Sequence, residues 1–284
     1  MASWLKSYQL LKGNHVDFQV EVLQYADPTR TDFHREIDLG LRQMADEFAH
    51  RPLYLALSGG LDSEYVGNSL IRNKIPFTPV LMRIGTYNDL EVCHAEYWCK
   101  RNNIKPYLIT VDPVKLLNKL KATLLKEWIT CNLGGLINVM IADYVETKYN
   151  GALVAGSGDC TVHTSEAAWL SNDGTVASVK DPVFYYWDAD VVLEHLRPGR
   201  HPCSTISYFP ETLYSWIYNY DTNLTEQESK SQLYDIPVRP KADMFELSPE
   251  YRKFFLDLGN IARFTNFRAG TQQKAIKWLT ESNI

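Results

Sequence analysis

The run Leu53 to Ser63, LYLALSGGLDS, constrains this chain more than any other stretch, because an apolar segment stops abruptly at small and acidic residues. Leu53 to Leu57, aliphatic apart from Tyr54, predicts a buried strand of a parallel sheet. Ser58, Gly59 and Gly60 predict a turn whose backbone other groups can approach closely. That turn suits phosphate. Adjacent glycines can aim N–H groups into one concavity, Ser58 and Ser63 add hydroxyls, and a helix starting near Ser63 directs its positive end there. Asp62 is the odd member, since a carboxylate beside a polyphosphate is repelled unless a cation lies between them. Its presence therefore predicts bound Mg²⁺.

The flanking sequence repeats a strand-then-helix rhythm. His15 to Tyr25 alternates well enough for a strand, expected at the edge of the sheet, and Asp27-Pro28 ends it. Phe33, Ile37, Leu41, Met44 and Phe48 recur at helical spacing and lead into the central strand. Val66, Leu70 and Ile71 mark a helix closed by Pro76, followed by a strand from Pro79 to Ile84. A helix over Leu90 to Asn102, with Leu90, Cys93 and Tyr97 on one side, precedes a third strand from Tyr107 to Val111. Asp112-Pro113 opens the next helix, whose apolar face runs through Leu117, Leu120, Leu124 and Trp128. Leu136 to Lys148 is helical again, Asn150-Gly151 stops it, and Ala152 to Ala155 makes a fourth strand. Such alternation builds a parallel sheet with helices on both faces.

The fourth strand ends in Gly156-Ser157-Gly158-Asp159, again small residues and a carboxylate. In a doubly wound sheet ordered 3-2-1-4, the first and fourth strands are neighbours where the winding reverses, and ligands bind in that crevice. Both loops therefore meet at one place. On the residues alone, Asp159 is either a ligand-facing carboxylate or a turn residue bonding nearby backbone. Beyond residue 160 the rhythm breaks. Trp169 to Trp187 reads as a hairpin around Asp173-Gly174, Phe209 to Tyr220 as an aromatic helix or strand, and Ser248 to Leu258 and Thr271 to Glu281 as helices.

Length and charge set the outer bounds. A chain of 284 residues with 45% hydrophobic residues can bury a full core. The net charge of −5 argues against broad, sequence-blind nucleic-acid binding. Five cysteines without a C-x-x-C pair, and no apolar leader in Met1 to Gly13, predict a cytoplasmic chain with reduced thiols and no membrane partner.

Ser58-Gly59-Gly60-Leu61-Asp62-Ser63 directly behind an apolar strand resembles the signature of the PP-loop ATP pyrophosphatases, most closely the synthetase domain of asparagine synthase-like enzymes. The loop is not a Walker motif, which needs Lys beside Ser or Thr after the glycines. The resemblance covers roughly Asp32 to Asp159. It implies an α/β, doubly wound parallel sheet of the adenine nucleotide alpha hydrolase-like kind with an irregular C-terminal extension. Residues 1–50 would form an N-terminal strand and helix, 51–160 the ATP-binding core, and 161–284 a region shaping the substrate pocket. It implies ATP as cofactor, bound by Leu57, Ser58, Gly59, Gly60, Asp62, Ser63, Met82, Gly156 and Asp159, with Mg²⁺ on Asp62 and Asp159. The adenine would lie against the strand backbone near Leu81 and Met82.

Splitting ATP between its first two phosphates also needs a cation against the departing pyrophosphate. Arg239 and Lys241, around Pro240, are the first candidates and act with Asp62 as the catalytic set; Arg268 and Lys274 come second, and Arg83 sits at a strand's carboxyl end. Cys160 is either an inert thiol or a sulfur carrier. His163 and His201 lack a partner at ligand spacing. Departures from the resemblance narrow the chemistry. Ala2 and Ser3 follow Met1 where a glutaminase would have cysteine, so this chain is not expected to release ammonia from glutamine. No cysteine follows Cys203, which speaks against a sulfonucleotide reductase, and the zinc-binding cysteines of the deazapurine nitrile branch are missing. The expected activity is adenylation of a carbonyl or carboxyl oxygen of a small-molecule or nucleobase-type substrate, followed by amide formation. A thiolating relative and a nucleotide-binding module without turnover are the alternatives.

Overall fold

Local sequence pattern and tertiary layering agree over the central sheet. The computed structural model describes residues 4–12, 15–116, 118, 133–158, 161–163, 169–170, 176–177, 183–186, 203–240, 267–268 and 272–281. Five parallel strands stand in the order β11-β6-β3-β4-β5: β3 is Leu53–Ala56, β4 Thr78–Ile84, β5 Tyr107–Val111, β6 Ala152–Ala155 and β11 Cys203–Ser204. The first four follow the 3-2-1-4 order that the rhythm implies, so β3 and β6 are neighbours at the reversal. The chain is therefore an α/β protein with a doubly wound parallel sheet.

Strand residues alternate between two cores, as the pleat requires. Leu53, Leu55, Leu57, Leu81, Ala152 and Val154 face a layer holding α1 (Phe33–Glu47), α2 (Leu61–Arg72) and α3 (Asp89–Arg101). Tyr54, Ala56, Val80, Met82, Leu153 and Ala155 face α4 (Leu133–Tyr149). Helix α1 buries Phe33, Ile37, Leu41 and Met44, the stripe its spacing predicts. Asp32 caps it, accepting from the Arg35 N–H at 3.1 Å.

Helix α3 turns a different face inward from the one expected. Leu90, Cys93 and Tyr97 are exposed, while Val92, Ala95, Trp98 and Cys99 are buried. Both sets satisfy helical spacing, and Trp98 decides between them because it fits against a residue without a side chain. A Cβ on Gly67 of α2 would lie 2.7 Å from the Trp98 ring, whose Nε1–H also donates to Asn68 Oδ1 at 2.9 Å.

The N-terminal strand also differs. β2 (His15–Val22) pairs antiparallel with β1 (Leu5–Lys12) in a sheet of two strands instead of extending the parallel one. Alternating polarity suits a hairpin exposed on one face at least as well as a sheet edge. Trp4, at its foot, is buried and donates to the Ser207 carbonyl at 2.9 Å.

The rhythm breaks after residue 160, yet the later chain supplies regular elements to the same body. Short strands β7 (Thr161–His163), β10 (Val183–Tyr186) and β12 (Phe267–Arg268) form one antiparallel sheet. β8 (Trp169–Leu170) and β9 (Val176–Ala177) pair antiparallel about the expected turn, but the hairpin is shorter than Trp169 to Trp187, because β10 pairs with β7 and β12 instead. The aromatic stretch resolves as helix α5 (Pro210–Asn219), started by its proline. α6 (Glu226–Tyr234) and α7 (Gln272–Thr280) follow. The helix expected at Ser248 to Leu258 lies outside the described residues. Among the described residues, no helix is long and apolar enough to cross a membrane.

On the α4 side, Lys148 Nζ lies 5.1 to 5.6 Å from the ring centres of Tyr107, Tyr144 and Tyr149. Hydrogen bonding from Tyr144, then from Tyr149 and Lys148, draws the Tyr107 hydroxyl down to about 8. A near-ultraviolet titration should therefore show one phenol ionising near that pH, and the step should vanish in Tyr107→Phe. Leu55, fully buried between strand and helices, tests the core: Leu55→Ala should lower stability by about 2–5 kcal/mol in urea denaturation.

Candidate functional site

The turn after β3 is built by its own side chains. Ser63 Oγ donates to the Gly60 carbonyl at 3.1 Å and accepts from the Ser58 N–H at 3.2 Å. Its single proton is then used, so Ser58 Oγ donates to it across 3.1 Å, and Ser58 Oγ in turn accepts from the Gly60 N–H at 3.3 Å. Ser63 is buried and braces the turn, whereas Ser58 is exposed. Helix α2 begins at Leu61, earlier than its sequence suggested, with Gly60 as a cap that has no side chain to offer. The first N–H groups of α2 thus lack a cap from that residue, which is the property that makes a helix start attractive to an anion.

Two glycines make the site compact. Gly59 has φ +86°, and a Cβ there would fall 2.0 Å from the Glu91 carbonyl oxygen in the first turn of α3. A Cβ on Gly156 would lie 2.6 to 2.7 Å from the Asp62 carbonyl and the Ser63 nitrogen. The loop after β6 therefore touches the first turn of α2 through backbone, which brings it beside the turn after β3, and the sequence expectation that they share one crevice holds. Beside them runs the segment after β11: the Ile206 N–H donates to the Ser157 carbonyl at 3.1 Å, and Gly158, at φ +95°, lies against Ser207.

Asp62 has protein partners that its sequence neighbourhood does not announce. Lys230 Nζ stands 3.1 Å from Oδ2, and the Tyr234 hydroxyl donates to Oδ1 at 2.7 Å. Both come from α6, one turn apart on one face. Thr225 and Glu228 start that helix with a reciprocal capping box. Tyr234 stacks on Tyr65 of α2 with ring centres 4.5 Å apart and accepts from Trp216 Nε1–H at 2.9 Å. The Lys230 side chain is only 6% exposed, which puts a buried ammonium at the mouth of the turn.

A second ionic knot lies two residues further along, still in the first turn of α2. Glu64, almost fully buried, is held by both terminal nitrogens of Arg239 and by Arg101 at 3.3 Å. The expected catalytic Arg239 is thus brought to the right helix but is committed to Glu64. Arg83 pairs with Asp89 at 3.3 Å and Glu96 at 3.2 Å along α3. Lys274 is exposed on α7, which docks on α5 through Gln272. Met82 and Leu57 are buried in opposite cores at the ends of their strands. Asp159, Cys160, Lys241 and His201, and the side chains of His163 and Arg268, lie outside the described residues.

The described residues do not build a metal site. No group of three or more His, Cys, Asp or Glu side chains among them could hold an ion, and both Asp62 oxygens already accept from Lys230 and Tyr234. The expectation of Mg²⁺ rests on Asp159 as well. Lys230 and Glu64 are the residues that sequence reasoning missed. The capping box at Thr225 could have located α6, but no local pattern says which loop that helix would meet.

No family model matches the chain, and no curated protein does. Among solved structures, the NH3-dependent NAD synthetase of Campylobacter jejuni aligns at 20% identity and a TM-score of 0.33, over 45% of this chain and 57% of that one. The glutamine-dependent NAD+ synthetase of Acinetobacter baumannii, solved with ADP, aligns at 14% and 0.36, over 49% and 28%. The NMN synthetase of Francisella tularensis aligns at 14% and 0.37, over 82% and 95%. This chain therefore spans little more than half of the first of these and under a third of the second. Alignments this loose carry no argument about activity.

Lys230→Met should leave the Asp62 carboxylate half-buried without its cation and cost about 1–3 kcal/mol in urea denaturation. A double-mutant cycle with Asp62→Asn should recover part of that loss, with a coupling of about 0.5–3 kcal/mol; strict additivity would mean the pair does not interact.

Proposed function

We propose that this chain is an ATP pyrophosphatase of the amide-forming kind. A carbonyl or carboxyl oxygen of a small substrate attacks the α-phosphorus of ATP, the bond between the α- and β-phosphates breaks, and pyrophosphate departs. An amine then attacks the activated carbon and AMP leaves with the oxygen. Positioning and charge stabilisation carry most of such a reaction.

The observation that carries this reading is the arrangement at the strand reversal: a glycine turn and an uncapped helix start, pressed against a second glycine loop, with Lys230 held at its mouth by Asp62. Backbone N–H groups of Gly59 and the first turn of α2 hold the phosphate tail, joined by the Gly60 N–H once it leaves Ser58 Oγ. Lys230 supplies the cation for charge building on the departing pyrophosphate, and Asp62 with Tyr234 keeps its ammonium in place. This gives Asp62 a role that needs no ion beside it. ATP in solution carries Mg²⁺, bound largely by its own phosphates and water. Arg239 acts at one remove, fixing Glu64 and thereby the first turn of α2.

Incubation of the protein with ATP and a pool of carboxylic acids, amides and amines should yield AMP and pyrophosphate. Lys230→Met should lower that yield about 10²-fold or more while ATP binding survives. ADP and phosphate as products would rule out the reaction class, and binding without turnover of any pool member would reduce the protein to a nucleotide-binding module.

A further inference from the structure

Among the described residues, no strand covers the β3-side edge of β4 at its carboxyl end. The register between β3 and β4 ends with Ala56 opposite Val80, and the Leu57 N–H adds one more bond to the Val80 carbonyl at 3.0 Å. On the other side, the Gly85 N–H donates to Val111 of β5 at 3.0 Å. Backbone groups alternate along a strand, so Val80, Met82 and Ile84 direct theirs towards the β3 side. Past Leu57 the chain has turned away into Ser58 and Gly59. The Met82 carbonyl and the Ile84 N–H therefore face the crevice above the glycine turn.

Asn88 occupies that edge. Its Nδ2 donates to the Met82 carbonyl at 2.7 Å and its Oδ1 accepts from the Ile84 N–H at 2.8 Å. Only one orientation of the carboxamide satisfies both partners. Asn88 is also the N-cap residue of α3, a position where asparagine ordinarily accepts from its own helix, and here it makes no such bond. The side chain thus serves the β4 edge and leaves the start of α3 without a side-chain cap.

We propose that Asn88 is a surrogate for the nucleobase, holding the β4 edge in the free protein and yielding it to a 6-aminopurine when nucleotide binds. The inference rests on the nucleotide reading above and adds a specificity and switching residue to it. A carboxamide offers a donor beside an acceptor, the same pair that the exocyclic amine and adjacent ring nitrogen of adenine offer. Guanine and hypoxanthine present a carbonyl beside an N–H at those positions, and would set acceptor against acceptor at Met82 and donor against donor at Ile84. Once displaced, the Asn88 side chain can cap α3 and recover a hydrogen bond there. The first turn of α3 rests on the phosphate turn through Glu91 and Gly59, so base entry and phosphate seating are mechanically joined.

Amide exchange and chemical shifts of the full-length, ¹⁵N-labelled protein test this, with ATP and ITP as probes. In the free protein Ile84 should be protected, and Asn88→Ala should lose that protection by about tenfold or more. ATP should restore it in the variant, and in the unsubstituted protein should move the Asn88 side-chain resonances while Ile84 stays protected. ATP should bind Asn88→Ala about threefold or more tightly than the unsubstituted protein, because the competitor is gone. ITP should bind both about tenfold or more weakly than ATP. If Asn88→Ala does not fold, Asn88→Asp serves, since it can cap α3 and cannot donate to Met82; it should likewise bind ATP more tightly. Perturbation of Gly59 and Gly60 by ATP with Asn88 and Ile84 unmoved would overturn the surrogate while sparing the nucleotide reading. No perturbation at Gly59 or Gly60 would overturn both.

Discussion

Asp62 sits in the first turn of α2, where a phosphate tail is expected to arrive, and a lone carboxylate there would work against any anion. Lys230 and Tyr234 resolve that conflict by taking one carboxylate oxygen each. The same contact ties α6 to the first turn of α2, and Tyr65, Phe33 and Tyr234 stack on one another beside it. Burial strengthens the pairing, because charges in a low-dielectric setting attract far more strongly than at the surface, provided every polar atom has a partner. The capping box that opens α6 and the Trp216 donor to Tyr234 are parts of that provision.

Around this contact the architecture works by close backbone approach. Gly59 lets α3 touch the turn, Gly156 lets the loop after β6 touch α2, and Gly158 lets the segment after β11 lie alongside. Each removes a Cβ where one would collide, so three separate parts of the chain converge within a few ångströms of the helix start. The C-terminal region is part of this body, since it lends β11 to the sheet and both α5 and α6 to the core. Asn88 fits the same pattern, with a side chain doing the work of backbone where β4 outruns its neighbour.

Much of the fold is legible in the chain because its signals are local. Strand residues alternate between two cores, α1 carries one apolar stripe, and Ser-Gly-Gly after an aliphatic run can hardly be anything but a tight turn. Where reading failed, two local patterns competed. The spacing of Leu90, Cys93 and Tyr97 is as helical as that of Val92, Ala95 and Trp98, and only the space above Gly67 selects the second. Alternation in His15 to Val22 fits an antiparallel hairpin as well as a sheet edge, and pairing with β1 settled it.

The candidate site divides the same way. The sequence by itself determined the strand, the glycine turn and the helix behind it, because backbone geometry follows from residues adjacent in the chain; for Asp62 it predicted Mg²⁺ and named no protein partner. Tertiary structure alone decided that Lys230, 168 residues away, pairs with Asp62, and that Arg239 is spent on Glu64. Those pairings depend on which helix faces are buried against each other, and burial is a property of the packed molecule that no short window of sequence contains.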